Sequence, residues 1–515
     1  MSEKKRFFIN SIAQFISFAV GLGITFFLTP FIVEKLGADA YGFVGLASSF
    51  VSYAQLITTA LNSMAGRFIT ISVHKGDIES ARKYFSSVFG ANLITVAILS
   101  IASIAIIFHL ENIIHIPDNL INDVKLLFTL SFLNFFVSLI FNVYNVCTFI
   151  KNRLDLSSSR VIVSDIIRCG LLFTLFFFFA PAVWYIGIVA TICSVYVAIT
   201  NLHFRNALTP ELYVQRQYFD FAKIKELLSA GVWNVISKIN GILGHGLDLL
   251  IANLLIGTTP MGIIAITRRV PSIMLTFYER INAVFAPNWT KFYAQGDRER
   301  FHKQLLQSIR FFGVISFIPL SILFIYCDWF YSLWLPNQNA HQLYILTIVA
   351  CVDLPFAMPL QPIYNVYPIV NKIKANSLLG IGIYSATFLC VLLGVLATND
   401  TWTKMLIIAA TRAIFNLIKA VTFLPLYGAY CTKLKARLLY KNAIKSILSF
   451  GILSAILVCF KSFQTSISWI SLTANAALAI IIGFTIGYFF ILDKEEKLLI
   501  NNIIKKVLRM RSSQS

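Results

Sequence analysis

The chain has 515 residues, is 57% hydrophobic and only 13% charged, and combines a mean hydropathy of +0.76 with a formal net charge of +20. A soluble globular chain carries about 25% charged residues and cannot hide this much apolar surface, so the soluble classes are excluded. Apolar stretches of about 20 residues, the length that crosses a hydrocarbon core of about 30 Å, recur from end to end, and they are continuous rather than alternating; the expected fold is an all-α polytopic membrane protein and not a β-barrel.

Fourteen transmembrane helices are predicted, over residues 7–33, 41–72, 86–108, 124–149, 161–180, 182–203, 227–256, 262–290, 304–327, 342–369, 378–397, 404–427, 446–461 and 468–492. The basic start "MSEKKRFFIN" is followed by apolar sequence to about Val33 without a small-residue cleavage site, so the first helix is expected to be retained. In the tenth span, "DLPFAMPLQP" carries three prolines and Asp353, the mark of a kink or hinge. The eight cysteines are scattered through apolar runs without metal or redox spacing and read as small apolar fillers. The sequence shows no Gly-rich phosphate loop, zinc spacing or H-E-x-x-H helix.

Basic residues set the expected orientation. With the N-terminus inside, thirty of the 43 Lys and Arg fall in inner segments, whereas the outer connections and their edges hold Lys35, Lys125, Lys404 and Lys461. Both termini are therefore expected to be cytoplasmic. The positive charge then lies against anionic membrane lipid, and no nucleic acid is needed to explain it.

Two polar hooks read G-D-x-E-x-x-x-K: "GDIESARK" from Gly76 and "GDRERFHK" from Gly296, 220 residues apart. The same offset relates Gly21 to Gly241, Gly37 to Gly257, Gly42 to Gly262, Asn62 to Asn282, and "YNV" at Tyr144 to "YNV" at Tyr364. These matches imply a duplicated six-helix unit. The offset carries a span that starts inside onto another that starts inside, so the repeat is parallel, with its axis along the membrane normal. The expected organisation is an N-terminal six-helix lobe over 1–203, a second over 204–427, and two additional helices with a basic tail over 428–515.

Polar residues of the first two spans of each repeat fall in helical stripes. They are Asn10, Gln14, Ser17, Gly21 and Thr25; Ser48, Ser52, Gln55, Thr59 and Asn62; Asn234, Lys238, Gly241, His245 and Asp248; and Arg269, Ser272, Thr276, Glu279 and Arg280. In lipid such side chains face protein or a water-filled cavity, so a central cavity between the lobes is expected. Lys238 lies about 18 Å into its span and Asp248 about 12 Å from the outer end, at about 1.5 Å per residue. Lys or Arg at mid-depth costs roughly 2.5–3.5 kcal/mol, which calls for counter-charge, water or an anionic ligand. Arg268 and Arg269 point about 100° apart, so one of them at most faces the cavity centre. Structural readings stand beside these. Arg67, Arg168 and Arg310 lie near cytoplasmic helix ends and read as snorkelling cations. Lys238 and Asp248 can pair with other helices, Glu279 and Arg280 can neutralise each other, and His245 fits a bundle histidine as well as a proton carrier.

The opening "NSIAQFISFAVGLGITFFLTPFIVEKLGADAYG", the Ser/Thr-rich second span and the "GD" hook together resemble the polysaccharide transporter (Wzx-type) family of the multidrug/oligosaccharidyl-lipid/polysaccharide (MOP) flippase superfamily. The resemblance covers essentially the whole chain. It implies a flippase, not an enzyme, that moves undecaprenyl-pyrophosphate-linked oligosaccharide, such as an O-antigen unit for lipopolysaccharide, across the bacterial inner membrane. It also implies that spans one, two, seven and eight line the cavity, and it allows the last two helices to hold the lipid tail. Polysaccharide assembly proteins are further expected partners.

On this reading the substrate site comprises Lys238, Arg268, Arg269, Arg280, Gln14, Gln55, Asn62 and Asn234. Asp248, Glu279 and His245 supply counter-charge or coupling. No cofactor or metal is expected, and coupling to a proton or a sodium gradient stays open. Guanidinium binds phosphate oxygens bidentately, lysine is a point charge, and the neutral polar residues can bond a sugar. A multidrug extruder of the same superfamily would need an acidic or apolar cavity, and here cations outnumber carboxylates. A membrane glycosyltransferase or O-antigen polymerase would commonly present a large outer loop, and the outer connections are short. A non-transporting scaffold has no need of deep charges.

Overall fold

A computed structural model describes residues 3–464, 466–498, 501 and 502, and these are helical throughout their ordered elements, without a β-strand among them. Helix is the form that satisfies every backbone amide and carbonyl within one apolar segment. The chain is a multi-pass membrane protein. Among the described residues, twelve helical segments are long and apolar enough to cross a bilayer by length and composition, against the fourteen spans expected. The difference has two physical origins. The first two predicted spans fall in one long segment, α1 (Glu3–His74), which is two helices joined at a kink where the backbone at Gly37 is non-helical. The eighth predicted span lies over α8 (Thr258–Thr267) and α9 (Arg269–Ala294), where Arg268, Arg269, Glu279 and Arg280 dilute the apolar run. At Gly37 φ is +82°, a conformation open to glycine and costly for a residue with a side chain.

The remaining helices used below are α2 (Ile78–Phe108), α3 (Ile121–Phe141), α4 (Leu154–Phe178), α5 (Trp184–Leu208), α6 (Phe221–Gly241), α7 (Asp248–Leu255), α10 (Arg298–Trp334), α11 (Ala340–Ala350), α12 (Ile373–Leu396), α13 (Thr401–Val421), α14 (Phe423–Thr432), α15 (Ala436–Ser462) and α16 (Trp469–Ile486). The tenth predicted span is broken after α11 into short helical turns through Pro355, Pro359 and Pro362, the interruption the prolines predict. All eight cysteines are unpaired. Contacts divide the chain into one unit of residues 1–266 with 377–401 and another of residues 267–376 with 402–515.

The hooks have one structure twice. Gly76 and Gly296 end the preceding helix at φ +78° and +73°. The amides of Asp77 and Asp297 bond back to the carbonyls of Ser72 and Phe292, each at 3.0 Å, which closes a six-to-one helix stop. The same aspartates then cap the next helix, accepting from the amides of Ser80 and Arg300 at 3.0 Å each. The Ser80 amide holds the Asp77 carboxyl below the usual carboxylate range. Glu79 and Glu299 sit in the positive first turn. Lys83 closes on Glu79 at 2.7 Å, whereas Lys303 reaches Glu495 at 2.6 Å.

In the first unit α1 is the central element, packed on α2, α4, α6 and α8, while α3 and α5 pack closely on each other. α1 and α8 meet through positions that the 220 offset makes equivalent. A Cβ on Gly42 would lie 2.9 Å from the Cα of Gly262, and one on Gly45 would touch Ala265 at 3.6 Å. The Thr259 hydroxyl donates to Asp39 at 3.1 Å. Equivalent residues touch only where the axis relating two copies passes.

In the second unit α10 packs on α15 and α16 around Phe317, Ile318, Leu453 and Leu457. Charge locks that contact at both ends. Arg310 is buried against Glu496 (2.7 Å) and Asp493 (2.9 Å), so it is an ion-pair anchor for the segment after α16 and not a snorkelling cation. Lys461 joins Asp328 at 2.6 Å. The basic tail beyond residue 502 and the side chains of Lys4, Lys5 and Arg6 lie outside the described residues.

Replacing Gly262 by Leu should separate α1 from α8, because its Cβ would overlap the Ala38 carbonyl. Backbone offers no rotamer by which to yield, and overpacking costs about 1–3 kcal/mol or more. Thermal unfolding in detergent should shift clearly downward; an unchanged midpoint would mean that this contact is not held.

Candidate functional site

The seam between α1 and α6 begins at Gly231, where a Cβ would overlap the Ala60 carbonyl, so the two helices meet backbone to backbone. That approach brings short polar side chains into bonding range. Asn234 Nδ2 donates to Ser63 Oγ at 2.9 Å. Lys238 Nζ donates to Gln55 Oε1 at 3.0 Å. The Tyr53 hydroxyl donates to the Gly246 carbonyl at 2.6 Å. Lys238 is half-buried, and within its unit, among the described residues, no carboxylate lies within ion-pair reach of it. Its partner is a neutral amide, so its positive charge is oriented but not cancelled.

Beyond Lys238 the Gly-rich "GILGHG" opens into a π-helical turn, Ile242–Gly246. Such turns leave helical carbonyls open to other donors, and Tyr53 uses one of them. The glycines also admit neighbours: a Cβ on Gly244 would stand 2.8 Å from the Tyr384 ring of α12. Asn240 fixes the same helix by donating to the Ser377 carbonyl at 3.0 Å. Glycine here thus serves both bending and close helix contact. Asp248 follows at the start of α7 and is buried at 7% exposure. The side chain of His245 lies outside the described residues.

Asn62 is part of a staple. Its Oδ1 accepts from Asn92 Nδ2 and Asn142 Nδ2, each at 3.1 Å, and its own amide donates to Asn92 Oδ1 at 2.9 Å. Its equivalent in the second unit does the same work by other bonds. Asn282 Nδ2 donates to the Gln361 carbonyl at 3.1 Å, and Asn365 Nδ2 donates to the Asn282 carbonyl at 2.8 Å. The beginning of α1 is also used for packing. Asn10 exchanges bonds with Asn152 (2.9 Å) and the Asp155 amide (3.0 Å), and Gly21 faces the Asp165 carboxylate. Gln14 is exposed.

In the second unit Arg269, Ser272, Thr276, Glu279 and Arg280 form one exposed face of α9, whereas Tyr278 and Asn282 on its other side are buried. Arg268 is half-buried at the N-terminal edge of that helix. The structure therefore brings Lys238 to Gln55 and Asn234 to Ser63 in the first unit, and it gathers Arg269, Glu279 and Arg280 on one face in the second.

Sequence reasoning passed over other deep charges. Arg160 is buried among Asn201, Asn145 (3.1 Å) and Ser157 (3.1 Å). Lys419 is buried with its ammonium 5.5 Å from the Tyr364 ring centre. Asp165 pairs with Arg168 at 2.9 Å. An ionisable residue inside an apolar run is the signal each of them offered.

Residues 36–338, more than half of the chain, match the family model described as polysaccharide biosynthesis protein. The chain belongs to the polysaccharide biosynthesis protein family. A relative from Bacillus subtilis (strain 168), "Uncharacterized membrane protein EpsK", is 26% identical over 508 residues, with 97% of this chain and 98% of that protein covered. Among solved structures, "Lipid II flippase MurJ, inward closed conformation" superposes with a TM-score of 0.66 at 14% identity, over 93% of this chain and 99% of that one. An inward-facing multidrug resistance MATE family transporter of the MOP superfamily gives a TM-score of 0.64 at 14% identity, covering 81% and 94%. This family member thus has the MOP fold that the opening pattern and hooks suggested.

Removing the Gln55 amide tests the seam. Gln55→Leu leaves the Lys238 ammonium without its partner, at a cost of about 1–3 kcal/mol. The double variant Gln55→Leu with Lys238→Met should regain most of that loss, since neither polar group remains. Melting in detergent should show both effects; additive losses would mean that the two side chains do not depend on each other.

Proposed function

We propose that the protein is a flippase that carries undecaprenyl-pyrophosphate-linked oligosaccharide, an O-antigen or other polysaccharide repeat unit, across the bacterial inner membrane by alternating access, with both termini in the cytoplasm and without catalysing a covalent step. The observation that carries this reading is Lys238, a cation at mid-depth in its span whose bonding partner is the neutral Gln55 amide. A cation held this way is preorganised for an anion, and the pyrophosphate is the dense anion of such a cargo. The family, whose members serve polysaccharide biosynthesis, supports the class of cargo. The likeness to a lipid II flippase supports the mode of transport.

We assign the pyrophosphate to Lys238 in the first unit, and to Arg268 or Arg269 with Arg280 in the second. Gln14, Gln55, Asn62 and Asn234 are assigned to the headgroup sugars. Asp248 and Glu279 compete for the cations when the headgroup leaves, and a proton or sodium gradient drives the cycle through them or His245. Under this reading the lobes are residues 1–203 and 204–427, and the last two helices, α15 and α16 within residues 428–515, are available to the lipid tail. Anionic membrane lipid and polysaccharide assembly proteins are its other partners.

In a strain lacking the gene, lipid-linked oligosaccharide should accumulate on the cytoplasmic leaflet. Lys238→Ala should fail to complement while reaching the membrane at normal level, and Lys238→Arg should retain more function because charge is kept. Full complementation by Lys238→Ala, with Arg268→Ala and Arg269→Ala equally silent, would sink the assignment of these cations.

A further inference from the structure

A second polar site lies toward the C-terminal end of α1, within the first unit. A cavity of about 460 Å³ opens between α1 and the turn that follows α3. Asn62, Arg67 and Thr70 line it from α1, and Asn142, Asn145 and Phe149 line it from the turn. The volume falls in the range of small-molecule sites, about 300–1,000 Å³.

The polar wall is a set of donors without a counter-charge. Arg67 makes no hydrogen bond or ion pair within its unit among the described residues. The Thr70 hydroxyl is buried and has no bonding partner. Asn145 spends its carbonyl oxygen on Arg160, which turns its amide group to other use. No Asp or Glu lines the cavity. The opposite wall is apolar and leads outward, with Phe149 59% and Ile71 42% exposed. An unpartnered guanidinium and a buried hydroxyl beside an exposed apolar rim fit an anion that is attached to a hydrocarbon chain.

The internal repeat separates scaffold from ligand chemistry here. Asn62, Thr70 and Asn145 recur as Asn282, Thr290 and Asn365, and helix is stapled to turn in both copies, by Asn142 on Asn62 in the first and by Asn365 and the Gln361 carbonyl on Asn282 in the second. Arg67 and Asn142 do not recur: Pro287 and Pro362 stand at the equivalent positions. The staple therefore forms without the guanidinium, and packing alone gives no reason for Arg67.

We propose that this pocket binds one lipid phosphate, with Arg67 as its counter-ion and Thr70 and Asn145 as donors to its oxygens. The ligand is a phosphate on an apolar chain, drawn either from an anionic glycerophospholipid of the bilayer or from a polyprenyl phosphate. The site shares Asn62 with the residues assigned to the headgroup sugars, but its phosphate-binding residues are other than Lys238 and it does not require the flippase reading.

Native mass spectrometry of the full chain in detergent, titrated separately with phosphatidylglycerol, phosphatidylcholine and a polyprenyl monophosphate, tests it. One anionic lipid should bind in preference to phosphatidylcholine. Arg67→Gln should weaken that binding about tenfold, the loss of one charge-assisted bond to phosphate. Thr70→Val should weaken it less, and Arg67→Lys should keep most of it. Preference for phosphatidylglycerol identifies a bilayer lipid and preference for the polyprenyl phosphate identifies a carrier lipid; either supports the site. Equal binding of phosphatidylcholine, or binding that Arg67→Gln and Thr70→Val both leave intact, overturns it.

Discussion

Two glycines set where the polar groups of the first unit stand. Gly262 lies on the Ala38 carbonyl and Gly231 on the Ala60 carbonyl, so α1 is held backbone to backbone at two places. In a bilayer, lipid tails are as apolar as leucine, and helices associate through close van der Waals approach more than through burial of apolar surface. Near these contacts the side chains of Ser63, Gln55 and Tyr53 reach α6 and the π-helical turn. A larger residue at either glycine would lift the helices apart, and the bonds to Asn234, Lys238 and Gly246 would go with them.

The ionisable groups follow from that geometry in two ways. Some are consumed as fasteners: Arg310 with Glu496 and Lys461 with Asp328 tie the last two helices to α10. A paired charge of this kind is weak evidence for added stability and better evidence for a fixed register. Lys238 and Arg67 differ, because one has a neutral partner and the other has none within its unit among the described residues. At mid-depth in a membrane, where Lys238 lies, an uncancelled cation costs roughly 2.5–3.5 kcal/mol, and ligand binding is a state in which that cost is offset.

Much of this was legible in the sequence because the governing rules are local. Helix class follows from apolar run length, and the hooks follow from the Gly and Asp that a helix stop and a helix cap require. The kink of the tenth span follows from its prolines. What escaped depends on neighbours distant in the chain. Asn10 and Gly21 fall on a cavity-like stripe by periodicity, but α4 lies against that stripe and takes them for packing. Arg310 looked like a snorkelling cation because its partner Glu496 is 186 residues away. Periodicity reports which residues share a face, and it does not report what that face meets.

The duplication adds a discrimination that a single copy could not provide. A residue that the scaffold requires is required in both copies, and Gly37 and Gly257, the two hooks, and Asn62 and Asn282 meet that condition. The deep charges do not. At the offset of 220, Lys238 corresponds to Phe18, Asp248 to Leu28, Arg269 to Ser49, Glu279 to Thr59 and Arg280 to Ala60. Neutral residues serve the same helical positions in the first copy, so the bundle folds without charge there. Carrying it in the second copy has a recurrent insertion cost of roughly 2.5–3.5 kcal/mol per cation. Arg310, which stands where the first copy has Gly90, is such a departure consumed as a fastener; where a departure carries a charge that no fastener consumes, as at Lys238, binding explains the cost better than packing, and chemistry should be sought there.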